Sequence, residues 1–193
     1  MGCRITDSTV SGIDEYLDKM RLWARNNGIK YNSDEELISE FIKDEDRENY
    51  LLNSVKVKLR FESSYLWYSE LLSWVGNPQE LIPKVVENVE NREFNVSDFL
   101  FFDDIVELIT VCDYLNKYRY YYLNSENDDD KIKSLYKIIS LLPVSYVVSD
   151  TVLLTYRQVK GMYYYFENSP IYEWDKFRKY IKNLPIFNII LGM

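Results

Sequence analysis

Arg157 stands where the β-branched run TVLLT (151–155) gives way to the aromatic stretch YRQVKGMYYYF, with Glu173-Trp174 downstream. A guanidinium at a strand-to-helix junction can hold a phosphate by charge-assisted hydrogen bonds. It can also be a helix-start residue paired with Glu173 or Asp150, and the sequence leaves both readings open. The other chemistry is thin. The chain has no histidine, which excludes serine triads and histidine-dependent metal sites. The acidic groups Asp34/Glu35/Glu36, Asp44/Glu45/Asp46 and Asp103/Asp104 fall at expected helix starts or turns, where carboxylates complement the helix dipole. The run Asp128-Asp129-Asp130 lacks the spacing and the glycine of a calcium loop, and no glycine-rich phosphate loop exists. The expectation from these residues is therefore no catalytic residue and no metal ligand.

The elements that must position these residues are legible from periodicity. CRITDSTVS alternates as a strand, and after Ser11-Gly12 the residues Ile13, Tyr16, Leu17, Met20, Trp23 and Ala24 repeat at helical spacing. A second helix is predicted from an N-cap at Ser33 to Lys43, and DEDREN (44–49) then turns the chain. SVKVKLRFE places Val55, Val57, Leu59 and Phe61 on one face and Lys56, Lys58 and Arg60 on the other, a half-buried strand. Residues 63–75 read as a helix ending at Gly76-Asn77-Pro78, and 79–91 as another. A long helix should start near Ser97 or Asp103, NSENDDD should be a flexible acidic loop, and 131–142 should be a helix broken by Pro143. A last strand and two helices end near Pro185. The organisation is one α+β domain over 1–193, helices packed on a small central sheet.

With 193 residues, 47% of them hydrophobic, the chain can bury a sizeable core. Acidic residues outnumber basic ones by 31 to 23, for a net charge of −8 and a pI near 4.7, which opposes attraction to phosphate backbones. The basic sets Lys56/Lys58/Arg60 and Lys176/Arg178/Lys179/Lys182 read as the outer face of a strand and the solvated face of a helix, so no direct nucleic-acid partner is expected. Cys3 and Cys112 are too few and too isolated for a disulfide framework or a zinc cage and read as packing residues. No apolar run reaches the roughly twenty residues of a membrane span. MGCRIT fits a myristoylation pattern, yet Cys3 to Thr6 alternates as a strand should. These features predict a cytoplasmic protein without a membrane partner. A single alanine, Ala24, against abundant Tyr, Asn, Ile, Lys and Asp points to an AT-rich genome, a bacterial virus or its low-GC host.

In order and motif the chain resembles the flavin-dependent thymidylate synthases. CRITDSTVSGIDEYLDKM resembles the N-terminal strand and helix of that family, and SVKVKLRFESSYLWYSELLSW resembles its central strand and following helix. LLPVSYVVSDTVLLTYRQVKGMYYYFENSPIYEW resembles its C-terminal segment, with Leu142-Pro143, Ser145, Thr155, Arg157 and Glu173-Trp174 in step. The family signature is Arg-His-Arg, a gap, then Ser; its cations hold flavin and nucleotide phosphates. The corresponding positions here are Ser73-Trp74-Val75, residues 76–82, and Pro83, so none of the four matches. Where relatives carry a further Arg and His, this chain reads Phe166-Glu167-Asn168-Ser169. Binding flavin and nucleotide phosphates desolvates several negative charges, and one remaining arginine does not offset that cost.

The resemblance therefore implies a dead enzyme scaffold used for binding, with no cofactor and with Arg157 as its one vestigial nucleotide position. An acidic, compact protein from an AT-rich genome is also similar to the host-takeover proteins of staphylococcal and related phages. That likeness implies a host protein partner, with the RNA polymerase sigma factor as the specific expectation and transcription inhibition as the outcome; homo-oligomerisation stays open. The alternative is a surviving nucleotide enzyme, or a nucleotide-binding subunit, of the thymidylate synthase class. Four consecutive large apolar residues at 99–102 cannot all face one core, and aromatic anchors beside acidic groups suit an interface. The expected partner-binding residues are Phe101, Phe102, Asp103, Asp104, Tyr120, Tyr121, Asp128 and Asp129.

Overall fold

The computed structural model describes residues 3–76, 81–100 and 105–192, with backbone alone at 81 and 84. The fold is α+β: a three-stranded sheet, ordered β1-β2-β3, and ten α-helices among the described residues. The density of internal contacts divides the chain into two compact units, one of 3–61 with 149–193 and one of 62–148.

The first unit begins with β1 (Arg4–Ser11) and α1 (Ile13–Asn26). Gly12 joins them at φ 91°, and a Cβ there would stand 3.0 Å from the Ser54 carbonyl oxygen, so both the dihedral and the close approach require glycine. Helix α2 (Asp34–Phe41) starts as expected, with the Ser33 hydroxyl accepting from the Glu36 amide. The segment expected to turn the chain is instead α3 (Glu45–Ser54). There the Asp44 carboxylate caps the Arg47 amide at 3.0 Å, Glu45, Asp46 and Glu48 line the positive end of the dipole, and Leu51 and Leu52 are buried.

Strand β2 (Lys56–Ser64) alternates as its sequence requires, with Val57, Leu59 and Phe61 buried and Lys56, Lys58 and Arg60 exposed. Strand β3 (Val147–Thr155) runs antiparallel to it, since the Tyr156 amide donates to Val55 and the Tyr65 amide to Tyr146. Helices α8 (Tyr156–Tyr165) and α9 (Tyr172–Ile181) follow, and the chain ends in a short α10 (Phe187–Ile190) beyond Pro185. Lys160 on α8 pairs with Glu48 on α3 at 2.5 Å. Trp174 is fully buried and stacks on Phe166 at 3.7 Å between ring centres. The Tyr156 hydroxyl, also buried, donates to the Pro185 carbonyl at 2.9 Å. Arg178, expected on a solvated face, instead lies against Tyr163, donating to its carbonyl at 2.8 Å and pairing with Glu167.

In the second unit, α4 (Tyr65–Val75) buries Trp67, Tyr68, Leu71 and Leu72 and stops at Gly76 in the left-handed conformation. Helix α5 (Leu81–Asn91) leads to a 3-10 turn at Val96–Asp98. Buried Asp98 accepts from the Asn95 amide at 2.9 Å and from Arg92 at 2.7 Å. Helices α6 (Ile105–Asn124) and α7 (Asp128–Leu141) form a hairpin. Three residues among those described tie α6 to the segment before it: Asn116 accepts from the Phe94 amide and donates back to its carbonyl, Arg119 donates to the Val89 carbonyl, and the Tyr122 hydroxyl donates to the Glu90 carboxylate.

Candidate functional site

At the β3–α8 junction, Thr155 and Gln158 form a reciprocal capping box. That cap fixes Arg157 in the first turn of α8 with its side chain exposed. The alternative of a structural pair with Glu173 or Asp150 is not met: neither carboxylate forms an ion pair with Arg157, and Arg157 has no ion pair among the described residues. Glu173 is buried instead, near Cys3. Burial, and then the Glu173 charge, push the Cys3 thiol up to about 12, which makes it a packing residue. Cys112 is buried too, its thiol raised mainly by burial.

The positions matching the signature offer no charge. Ser73 lies near the end of α4 and donates back to the Ser69 carbonyl at 2.9 Å, Trp74 and Val75 are half-buried, and Pro83 is exposed in the first turn of α5. Among the described residues no group of three or more Cys, Asp or Glu side chains could hold a metal ion. No helix there is long and apolar enough to cross a membrane.

The other candidate region is the end of the α6–α7 hairpin. The expected flexible acidic loop is short here, because Asn127 caps α7 by accepting from the Asp129 amide at 2.8 Å. Asp128, Asp129 and Asp130 are therefore the exposed first turn of a helix, where its dipole stabilises their charge. Tyr120 and Tyr121, on the last turns of α6, meet edge to face at 6.1 Å. They line an open groove of about 560 Å³ together with Asn124, Ser125, Asp130, Lys133 and Ser134. Asp130 pairs with Lys133 at 3.0 Å.

Of the eight expected partner-binding residues, the structure brings Tyr120 and Tyr121 into this groove and sets Asp128 and Asp129 beside it. Phe101, Phe102, Asp103 and Asp104 lie outside the described residues. Asn124, Lys133 and Ser134 were not singled out by sequence. The signal that could have found the α7 pair was Asn127 as an N-cap, since a helix starting there puts Asp130, Lys133 and Ser134 on one face at i, i+3 and i+4. Further along α6, Ile105, Val106 and Ile109 are exposed aliphatic residues at the start of the helix.

Neither a family model nor a curated protein sequence matches the chain. Solved structures do. The chain is similar in fold to thymidylate synthase X (ThyX) from Helicobacter pylori with FAD and dUMP, at a TM-score of 0.60 and 16% identity, covering 99% of this chain and 97% of that one. A second structure of the flavin-dependent thymidylate synthase ThyX from the same organism, complexed with FAD and dUMP, matches at a TM-score of 0.60 and 15% identity, over 100% of this chain and 99% of that one. The fold is thus ThyX-like over the whole chain, as the sequence resemblance implied.

Proposed function

We propose that the chain is a ThyX-fold protein that keeps the scaffold and works by binding another protein. The observation that carries this reading is the chemistry at the signature positions: Ser73, Trp74, Val75 and Pro83 supply no cation, and Arg157 is the remaining candidate to meet phosphate charge. The exposed tyrosines and carboxylates of the α6–α7 hairpin support the binding role. Its partner in this proposal is a host protein with a basic surface, specifically the RNA polymerase sigma factor, met by a phage protein in the bacterial cytoplasm.

A second reading, a nucleotide enzyme or nucleotide-binding subunit, is favoured by the whole-length likeness to structures holding FAD and dUMP, which lends nothing to the host-takeover role. The guanidinium of Arg157, exposed and without an ion pair among the described residues, also favours it. One preparation separates the two. In the first reading the purified protein is colourless, dUMP produces no heat on titration, and immobilised protein captures RNA polymerase subunits from a low-GC Gram-positive lysate. A stoichiometric flavin absorbance band, or dUMP binding abolished by Arg157→Ala in a folded protein, would establish the second reading instead.

A further inference from the structure

We infer that the α6–α7 groove seats an arginine side chain from a basic segment of a partner protein. The inference deepens the protein-binding reading and rests on it. Three properties of the groove select that occupant. The first is charge: between Asn124 and Ser134 the chain carries the exposed carboxylates Glu126, Asp128, Asp129 and Asp130 against Lys131 and Lys133. Lys133 is already engaged with Asp130 through a pair whose side chains are 74% and 58% exposed. Such a pair is worth little and exchanges readily for a better donor.

The second property is the aromatic wall. Tyr120 and Tyr121 meet at 66° between ring planes, so one ring offers a face where its neighbour offers an edge. A planar guanidinium can stack on that face while its fork reaches the Asp130 carboxylate, which an ammonium group cannot match. The third property is an idle acceptor. Ser134 lines the groove and is 9% exposed, yet its hydroxyl has no hydrogen-bond partner among the described residues. Its oxygen keeps access to solvent in the open groove, so an arriving guanidinium can donate to it in place of water without breaking a hydrogen bond inside the protein. The volume, about 560 Å³, falls in the range of a ligand site and leaves room for the backbone that carries the arginine. A second copy of the chain is the poorer occupant, because two molecules of charge −8 repel.

The test uses the full chain and three fluorescein-labelled peptides: alternating serine and arginine, the same with lysine, and the same with uncharged citrulline. Fluorescence anisotropy should show the arginine peptide binding about threefold tighter than the lysine peptide, with the citrulline peptide not bound. Tyr121→Leu and Asp130→Asn should each weaken the arginine peptide about threefold. Glu45→Gln, an exposed acidic position on α3, should leave it unchanged. All these positions are exposed, and circular dichroism confirms folding. Equal affinity for arginine and lysine, or equal loss in Glu45→Gln and Asp130→Asn, would mean diffuse charge attraction and overturn the inference. So would a lysate partner captured equally by wild type, Tyr121→Leu and Asp130→Asn, and the protein-binding reading would then survive alone. If the arginine peptide depends on the groove but no lysate protein is captured, the groove chemistry stands and the protein-binding reading falls.

Discussion

Replacing Asn116 tests how α6 is held in register beneath the groove. Its side chain acts as a length of backbone, taking the Phe94 amide at 2.8 Å and giving to the Phe94 carbonyl at 2.9 Å. Phe94 itself is buried, so water does not freely replace these partners. Asn116→Ala forfeits two hydrogen bonds at about 1 kcal/mol each and strands a donor and an acceptor, for a total near 2–3 kcal/mol. For a chain of this size that is a drop of roughly 5–10 °C in Tm. Asn116→Asp sharpens the test. At neutral pH the new carboxylate still accepts from the Phe94 amide but faces the Phe94 carbonyl lone pairs, and it can donate only when protonated. Its folded pKa should therefore sit above the usual 3.9 or so of an aspartate. With the folded pKa above the unfolded one, the folded state binds the extra proton more tightly. The stability deficit relative to wild type then shrinks as pH falls through the raised value, across about pH 6 to 4. Urea unfolding of the three proteins at several pH values reads this directly. An alanine variant within 0.5 kcal/mol or so of wild type, or an aspartate deficit that does not change with pH, would refute the account.

Gly12→Ala should cost about 2 kcal/mol, because a residue with a Cβ at φ 91° meets the Ser54 carbonyl; a chevron or urea curve superposing on wild type would contradict this. The Tyr146 hydroxyl, buried and held by Asn88 at 2.6 Å, is pushed up to about 12, chiefly by burial. The unfolded chain ionises its tyrosines from about pH 10 while the folded Tyr146 stays neutral. Stability is thus full below that value and is lost as pH rises towards the folded pKa. Tyr146→Phe should flatten this alkaline loss, and an unchanged slope would show that Tyr146 is not responsible. Cys3 and Cys112, buried with raised thiol pKa values, should react with a disulfide reagent only after denaturant is added; prompt labelling of the native protein would count against their packing role.

What the sequence disclosed depended on which forces were local. The alternation around Val57, Leu59 and Phe61 and the stop at Gly76 follow from single-residue geometry, and the structure has both where they were expected. Helix α3 escaped notice because its first turn, Glu45-Asp46-Arg47-Glu48, has the composition of a turn; Leu51 and Leu52, which hold it, gain their worth only from burial. The same confusion lengthened the acidic loop, since three aspartates read as solvated chain until Asn127 is seen to cap them. The groove was out of reach altogether, because it needs α6 and α7 to fold back on each other, which no periodicity in either helix encodes. Glu173 shows the reverse error. In sequence it was a ready partner for Arg157, and in the fold it is withdrawn beside Cys3.

Trp67 and Trp174 are almost completely buried, the first in the unit of residues 62–148 and the second in the unit of 3–61 with 149–193. Each unit therefore contains its own optical reporter. Trp23 and Trp74 are only half-buried and can be exchanged for phenylalanine. The emission of Trp67, followed in a variant with Trp174 also replaced, would then trace the loss of one unit, and the converse variant the loss of the other. Coincident curves would mean that a blow to the α6–α7 hairpin is felt at β1; separate curves would mean that the hairpin can loosen, and so adapt to what it binds, while the rest of the molecule stays folded.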